Sequence, residues 1–435
     1  MLASFLSSIA DGGRAFLERQ GWQVENWAGP DLEQACNDLL SRRGEASGAA
    51  IARTVLNAYA GMTDEEKRGF FRLLLERFGP DPEALRDALA AYERDPSTDN
   101  ASRLHRAAEP RRQELFRRLT SGPERTRPLV QMRGELLDAI EGEPELRPVD
   151  TDLLHLFSSW FGHGFIVLER IDWDSPATIL EKLIRYESVH PIDGWEDLRG
   201  RLQNDRRCFA FFHPTLPGEP LIFVEVALVN GLASRVGPLI AKDRPIIRAE
   251  SADTAIFYSI NNCHAGLRGM SFGNFLIKQV ASRLAAELPG LKTFATLSPV
   301  PGFRRWLEAN PVALGADAPE PGETVAAAGS APNTALMEAC AHYLVNVRRG
   351  NQAADSVARF HLGNGARLER INWMADPSPN GMRQSYGMMV NYFYDLKAVE
   401  ENHEQYIEKG KMPVARSVLA LANASGKRAK LAGAA

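Results

Sequence analysis

The sequence has few cysteines and no cluster of metal-binding residues. Only four of its 435 residues are cysteine, and they lie far apart at Cys36, Cys208, Cys263 and Cys340. Because no CxxC pair occurs, the spacing argues against a disulfide framework and a structural zinc site, and it predicts buried, reduced thiols. The nine histidines are also scattered, without an HxH or HxxE pair. We therefore expect no bound metal.

The chain also lacks a strong excess of charge. Its 51 Lys and Arg residues stand against 55 Asp and Glu residues, for a formal charge of −4. No global field therefore attracts the protein to nucleic acid or to an anionic membrane. An arginine-rich stretch from Arg103 to Arg118 is interrupted by Glu109 and Glu114, so we interpret it as solvated helix surface. We expect no nucleic-acid partner.

No apolar run approaches the ~20 residues that a membrane-spanning helix needs. The opening MLASFLSSIA is apolar, but no basic residue precedes it and Asp11 and Arg14 follow closely. A signal peptide is therefore not expected. The Ala-Lys-Leu near the C-terminus is internal, and a peroxisomal signal must be terminal. These features favour a cytoplasmic protein without a membrane partner.

The first part of the chain, to about residue 142, has a helical pattern throughout. Thr63 and Glu66 form a T-x-x-E capping box, and the apolar residues from Phe70 to Phe78 follow at helical spacing. Gly79-Pro80 ends that helix, and Asp81 followed by Pro82 begins the next one. We predict an all-α helical bundle that occupies residues 1–150.

The charged, proline-containing segment 141–148 is typical of an interdomain hinge, and strands are predicted only after it. Residues 151–435 are therefore predicted as a mixed α/β domain. Cys208–His213 and Leu221–Leu228 are expected to pair as a β-hairpin, and Val312–Asn333 is predicted as a surface loop. The other predicted elements are strands at Phe165–Arg170, Thr254–Ile260, Thr293–Leu297, Ala366–Trp373 and Gly387–Leu396, and helices at Phe272–Leu288 and Ala335–Val347.

One glycine-rich turn leads from a predicted strand directly into an amphipathic helix. It contains Gly266, Gly269 and Gly273 within the segment Tyr258–Asn274. Free N–H groups and the helix dipole favour an anion such as a pyrophosphate at such a position. Many strand-to-helix turns contain glycine for structural reasons alone, so a purely structural turn stays open. Arg268-x-x-Ser271-x-Gly273 resembles the Q/R-x-x-G-x-G/A turn with which GNAT-type acyltransferases hold the pyrophosphate of acyl-CoA, with Ser271 in place of one glycine.

A set of segments in one order resembles the malonyl-CoA decarboxylase family. The resemblance is strongest from about residue 185 to 396. It rests on the following segments: His190-Pro, Arg207-Cys-Phe, Pro217-Gly-Glu-Pro-Leu, Phe257-Tyr-Ser-Ile, Phe275-Leu-Ile-Lys, Leu297-Ser-Pro-Val-Pro-Gly-Phe303, Phe360-His-Leu-Gly-Asn-Gly-Ala366, Arg370-Ile-Asn-Trp-Met-Ala-Asp376 and Asn391-Tyr-Phe-Tyr394.

The resemblance implies a site and an assembly. It makes Ser298 and His361 the catalytic pair and places Ser259 and Tyr394 along the active site. A glutamate found at the turn in some members is Ser271 here, so its role is not transferred. The family is expected to form homotetramers through the helical domain and to need no cofactor besides the CoA of its substrate, malonyl-CoA. The turn implied to bind the CoA ester consists of Arg268, Gly269, Met270, Ser271, Phe272, Gly273 and Asn274.

The implied fold class is α+β and multidomain, with the helical bundle followed by a GNAT-like mixed, largely antiparallel sheet flanked by helices. The acyl-CoA is expected where Thr254–Ile260 and Thr293–Leu297 splay apart. Decarboxylation of a malonyl thioester leaves an enolate, which needs donors for its oxygen and an acid for its carbon. His361 is expected to supply that proton with a pKa near neutrality. Ser298 either orients the departing carboxylate or polarises the thioester.

Other interpretations stay open at this point. A GNAT-type acetyltransferase shares the fold and the grip on CoA, and a non-catalytic regulator binds the thioester without turnover. A hydrolase with Ser298 as nucleophile is disfavoured, because Leu297-Ser-Pro is not a G-x-S-x-G elbow and no carboxylate partner for His361 is evident. Without the family, Ser298 is an ordinary loop serine and His361 a satisfied histidine.

Overall fold

The computed structural model describes residues 30–41, 45–120, 126–270, 273–310 and 332–432. The chain forms two compact units. The first contains Met1–Val167, Phe212–Leu221 and Asn262–Met270, and the second contains Leu168–Phe211, Ile222–Asn261 and Ser271–Ala435. The apolar opening segment and nearly all of the predicted loop Val312–Asn333 lie outside the described residues.

Helices make up most of the described part of the first unit. Thr63 forms the predicted capping box with Glu66, and Phe70, Phe71 and Leu74 are buried on the face that their spacing predicts. The helices are α1 Pro30–Leu40, α2 Glu45–Ala60, α3 Asp64–Arg77, α4 Pro82–Arg94, α5 Thr98–Ala108, α6 Arg111–Leu119, α7 Thr126–Gly142 and α8 Arg147–Trp160.

The segment predicted as a hinge is itself helical. Pro144–Leu146 forms one turn of 3₁₀ helix, and α8 begins directly after it. Both prolines of the segment, Pro144 and Pro148, fall in the first turn of a helix, where the missing N–H has no partner to lose. Residue 150, the predicted end of the helical part, therefore lies inside α8.

The second part of the chain carries an eight-stranded sheet. Its strands are β1 Val167–Ile171, β2 Arg206–Phe212, β3 Ile222–Val229, β4 Thr254–Asn262, β5 Thr293–Thr296, β6 Ser298–Pro299, β9 Arg367–Asn372 and β10 Met389–Phe393. The strand order is β1-β2-β3-β4-β5-β10-β6, and β9 pairs with β10. The predicted hairpin β2–β3 is antiparallel, as are the pairs that β10 makes with β5, β6 and β9. The mixed, largely antiparallel sheet is thus confirmed. A separate ribbon pairs β7 Arg348–Arg349 with β8 Gln352–Ala353.

Helices flank this sheet. Ile256, Tyr258, Leu297 and Met389 lie in one buried apolar cluster on a face of its strands. The helices are α9 Ala177–Tyr186, α10 Gly194–Arg201, α11 Gly237–Ile240, α12 Gly273–Glu287, α13 Phe303–Ala309, α14 Thr334–Asn346, α15 Ser356–Gly363, α16 Pro379–Ser385, α17 Val399–Lys409 and α18 Arg416–Ala432.

Strands β4 and β5 run parallel and then separate. Their register extends from the pair Thr254–Thr293 to the pair Phe257–Thr296. Beyond this pair, β4 continues to Asn262, while the segment that follows β5 forms β6 and pairs with β10 instead. The strands separate where the resemblance to GNAT-type acyltransferases predicted that they splay apart. The end of β4 therefore no longer pairs with β5.

Within the described ranges, no helix is long and apolar enough to cross a membrane. The same residues contain no group of three or more His, Cys, Asp or Glu side chains arranged to hold a metal ion. All four cysteines are buried, and none of them forms a disulfide within the described residues.

Candidate active site

Ser298 lies where β4 and β5 separate. Its side chain is buried, and its Oγ is 2.9 Å from Oγ1 of Thr296. Because side chains alternate along a strand, Thr296 and Ser298 project from the same face. The second neighbour of the Ser298 hydroxyl is Nε2 of His361, also at 2.9 Å, although the two residues are 63 positions apart in sequence. The fold thus brings the two predicted catalytic residues into direct contact.

His361 is held from several sides. It lies in the last turn of α15, whose first turn is capped by Asp355 through the N–H groups of Val357 and Ala358. The imidazole is 2% exposed and stacks on the ring of Tyr392, with centroids 4.5 Å apart and planes at 26°. A capped helix and a stacked aromatic ring therefore fix the orientation of this histidine.

Tyr394 completes a chain of hydrogen bonds through the histidine. Its hydroxyl lies 2.8 Å from Nδ1 of His361, and the whole side chain is buried. Nδ1 is the partner that the described residues offer to this hydroxyl, so we assign Tyr394 as the donor. The histidine then carries its own proton on Nε2 and donates it to Ser298. Ser298 in turn donates to Thr296, whose Oγ1 also accepts the N–H of Tyr392.

The protonation state of His361 differs from the sequence-based expectation. Complete burial disfavours the charged ring and lowers the pKa of His361 to about 3. The prediction of a pKa near neutrality is therefore wrong, because the sequence did not reveal that the ring is sealed away from water. Burial also raises the pKa of Tyr394 well above its usual range. At neutral pH the chain from Tyr394 to Ser298 consists of uncharged donors.

Ser259 belongs to a polar cluster at the end of β4. Its Oγ donates to Oε2 of Glu187 at 2.6 Å, and Nδ2 of Asn261 donates to the same oxygen at 2.8 Å. Phe257 is opposite Thr296 in the β4–β5 register, so Ser259 and Ser298 each lie two residues further along. They therefore share a sheet face at the same level, on either side of the divergence.

Glu187 is the centre of this cluster. Its other oxygen, Oε1, accepts the backbone N–H groups of Val189 and His190 at 2.9 and 2.7 Å. The pKa of the nearby Glu225 rises to about 7, mainly through burial and further through the charge of Glu187, and Arg201 acts in the opposite direction. A buried carboxylate and its field are thus present next to Ser259.

The turn implied to bind CoA follows β4. Ala265–Leu267 forms one turn of 3₁₀ helix, Arg268 and Gly269 are exposed, and Gly269 has φ +83°. A positive φ of this size favours glycine. Ser271 and Phe272 lie outside the described residues. Gly273 and Asn274 begin α12, as predicted, but their side chains are not described.

The sequence-based reading did not single out Arg133, Thr296 or Glu187. Arg133 lies on α7, is 1% exposed, and donates through Nη1 to the carbonyl oxygens of Gly266 and Arg268 at 2.6 and 2.9 Å. The spacing of apolar residues in the sequence does indicate that Arg133 is buried. It falls four positions after Leu129 and three before Leu136, both buried, so it stands on the apolar side of its helix.

A serine, a histidine and a tyrosine are joined by hydrogen bonds and buried where two strands of a mixed sheet diverge, an arrangement that can transfer a proton. Two family models match the chain: the malonyl-CoA decarboxylase C-terminal domain over residues 164–432 and the malonyl-CoA decarboxylase N-terminal domain over residues 78–161. The chain belongs to the malonyl-CoA decarboxylase family. The enzyme class is therefore that of the carboxy-lyases.

Known proteins resemble the chain over most of its length. The crystal structure of malonyl-CoA decarboxylase from Rhodopseudomonas palustris has a TM-score of 0.83 and 47% identity, covering 90% of this chain and 99% of that one. The corresponding structure from Agrobacterium vitis has a TM-score of 0.81 and 48% identity, with the same coverage of both chains. The mitochondrial malonyl-CoA decarboxylase of Rattus norvegicus is 34% identical over 438 residues, covering 89% of this chain and 85% of its own.

Proposed function

We propose that the protein converts malonyl-CoA to acetyl-CoA and carbon dioxide, with Ser298, His361 and Tyr394 as the reacting groups. The observation that carries this proposal is the buried, uncharged donor chain from Tyr394 through His361 to Ser298. Decarboxylation of a thioester develops negative charge on one oxygen and needs one proton on carbon. Donors that are fixed in a dry site meet both needs.

In the first step, the bond between the α-carbon and the carboxylate breaks. The electron pair moves into the thioester, which becomes an enolate with its charge on oxygen, and carbon dioxide leaves. Nε2–H of His361 and the hydroxyl of Ser298 are the donors for the carboxylate and the enolate oxygen. Each donor aimed at a developing oxyanion typically contributes about 10²–10³ in rate. A neutral imidazole is suited to this task, since it donates without carrying a charge that attracts the substrate carboxylate.

In the second step, the enolate pair takes the proton from Nε2 of His361 and forms the methyl group of acetyl-CoA. Nδ1 receives the Tyr394 proton at the same time, so the negative charge passes to the tyrosine oxygen rather than remaining on imidazole. After acetyl-CoA leaves, Nε2 takes up a proton from solvent and Nδ1 returns its proton to the tyrosine oxygen, which restores the starting tautomer. One proton is consumed in each turnover, as the conversion of a carboxylate to carbon dioxide and a C–H bond requires.

Binding of the CoA portion is proposed for Arg268, Gly269, Met270, Ser271, Phe272, Gly273 and Asn274, on the family resemblance. The support from the fold is exposed Gly269 at positive φ, four positions before the first residue of α12 in sequence. Ser259 is proposed to line the acyl end of the site, because it shares a face and a level with Ser298. No cofactor besides the CoA of the substrate enters this mechanism.

A hydrolase with Ser298 as an acylated nucleophile fits the site less well. Such a serine needs a base that accepts its proton, but the assigned tautomer places a proton on Nε2 of His361, facing the serine oxygen. Within the described residues, no carboxylate is hydrogen-bonded to His361 to stabilise an imidazolium.

The test is incubation of the protein with malonyl-CoA, without added metal or acceptor amine, followed by mass spectrometry of the products. We expect one carbon dioxide and one acetyl-CoA per substrate, lost in Ser298→Ala and His361→Asn with CoA affinity retained. His105→Asn, which changes an exposed histidine on α5, is the control. Intact malonyl-CoA together with CoA binding would instead indicate an acyltransferase or a regulator, and free malonate would indicate a thioesterase.

The functional division of the chain is also a proposal. We propose a helical domain in residues 1–150 that assembles a homotetramer, and a catalytic domain in residues 151–435, in a protein that acts in the cytoplasm. These points rest on the family resemblance and on the sequence features described above. Light scattering of the purified protein, with subcellular fractionation of its source cells, tests them. A monomer would contradict the assembly.

A further inference from the structure

Arg133 makes an unusual set of contacts for a residue of a helical bundle. Nη1 donates to the carbonyl oxygens of Gly266 and Arg268, and Nε donates to Oδ1 of Asp150 at 2.7 Å. The Arg133 side chain is 1% exposed, while that of Asp150 is 20% exposed. A buried guanidinium that donates to two carbonyl oxygens of one turn fixes the backbone that it contacts.

The turn that contains Gly266 also packs closely against α7. A Cβ added at Gly266 would lie 1.7 Å from the carbonyl oxygen of Val130 and 3.1 Å from the amide nitrogen of Gly134. A Cβ added at Gly134 would lie 3.4 Å from the amide nitrogen of Gly266. Glycine on both sides therefore lets the backbones approach to within reach of the Arg133 side chain. The turn is thus held by both packing and hydrogen bonds.

The position of the Arg268 carbonyl has a consequence for the next residue. In a planar trans peptide, the C=O and N–H groups point in opposite directions. No cis peptide is present in the described chain, so the N–H of Gly269 points away from Arg133. Gly269 is exposed, and among the described residues its N–H donates to no backbone carbonyl. By holding one carbonyl inward, Arg133 holds this donor outward, as in anion-binding backbone nests.

We propose that Arg133 is a positioning residue for the CoA-binding turn, and that it acts on the pyrophosphate of the substrate through the backbone of Arg268 and Gly269. The proposal rests on the proposed function of that turn. It gives residues of the helical bundle a role in substrate binding in addition to any role in assembly. Arg133 itself does not touch the reacting atoms.

The test compares substrates with and without the pyrophosphate. In Arg133→Met, which removes the donors and keeps the volume, KM for malonyl-CoA and Kd for free CoA are expected to rise about tenfold, since hydrogen bonds from a charged group are lost. kcat should stay within about threefold, because the chemistry does not involve this residue. For malonyl-pantetheine, which lacks the pyrophosphate, kcat/KM should be unchanged. Arg133→Lys should recover part of the CoA affinity.

The matched control is Arg112→Met. Arg112 is also a buried arginine of the bundle and is paired with an aspartate, Asp152, but it donates to the Leu74 carbonyl rather than to the turn. The Arg112→Met variant should have a lower melting temperature than the wild type, with unchanged KM for malonyl-CoA and unchanged Kd for CoA. An equal rise of KM in both variants, or an unchanged KM and Kd in folded Arg133→Met or Arg133→Lys, would overturn the proposal. Calorimetric titration with CoA decides the role of Arg133 even if the wild-type protein releases no carbon dioxide.

Discussion

The hydroxyl of Tyr394 lies 2.8 Å from Nδ1 of His361, on the side of the ring opposite to Ser298. The tyrosine therefore determines which nitrogen carries the histidine proton. In Tyr394→Phe, Nδ1 loses its donor, and the tautomer with the proton on Nδ1 becomes accessible. We expect kcat to fall about 10- to 100-fold with little change in KM, because only proton delivery is affected.

Steady-state kinetics with malonyl-CoA measure this effect. Tyr392→Phe is the control, since it retains the ring that stacks on His361 and removes a hydroxyl that does not contact that histidine. A Tyr394→Phe variant with wild-type kcat would show that the tautomer is set elsewhere.

The pH dependence of stability follows from the burial of His361. Its pKa falls from 6.5 to about 3 on folding, so below pH 6.5 the unfolded chain takes up a proton that the folded chain does not. The free energy of unfolding should therefore drop by about 2 kcal/mol between pH 7 and pH 5 on account of this residue. Denaturant titrations at both pH values, for the wild type and His361→Asn, measure it.

The comparison between variants is needed because other groups titrate in the same range. The lowered pKa of His190, about 4, also reduces the free energy of unfolding as the pH falls. The raised pKa of Glu225, about 7, increases it. Both groups are common to the wild type and the variant. The pH-dependent loss should be smaller in His361→Asn, and identical losses would mean that the folded protein protonates His361 near neutrality.

Gly266→Ala should destabilise the first unit, because the new methyl group would meet the Val130 carbonyl. Overpacking of this kind typically costs about 1–3 kcal/mol. The turn must also move, so KM for malonyl-CoA should rise. Gly69→Ala is the control, since its added Cβ contacts nothing and it lies in helix α3, where alanine is favoured. Equal melting temperatures for the two variants would contradict the close packing at Gly266.

Glu187→Gln should weaken the end of β4. Among the described residues, the groups hydrogen-bonded to the Glu187 carboxylate are donors, from Ser259, Asn261, Val189 and His190, so an amide nitrogen must face one of them. A lost or unmade buried hydrogen bond costs about 1–3 kcal/mol.

We also expect a lower kcat/KM, because Ser259 loses its fixed orientation. Glu181→Gln, on the exposed side of α9, is the control. Unchanged stability and activity in Glu187→Gln would show that the cluster tolerates an amide.

The elements of the fold follow from local patterns, and the contacts within the site do not. The capping box at Thr63, the hairpin β2–β3 and the helix after the glycine turn depend on residues close in sequence, and the structure confirms them. The helical hinge segment is an exception, because prolines at first-turn positions resemble those of a linker.

The contact between Ser298 and His361 depends on the meeting of β6, α15 and β10, and only the family resemblance predicted it. The pKa of His361 could not be predicted for the same reason, since burial is a property of the whole fold. Glu187 contacts Ser259 and Asn261, and Arg133 contacts Gly266 and Arg268, all more than 70 positions away, so no local pattern identifies these partners.

The buried state of the four cysteines has a chemical consequence for a protein that handles thioesters. A thioester exchanges its acyl group readily with a free thiolate, and a protein with exposed, ionised cysteines would become acylated by its own substrate. Here all four thiols are enclosed, and burial raises the pKa of Cys36 to about 12. The acyl group therefore stays on its carrier, and the intact mass of the protein should not change over many turnovers.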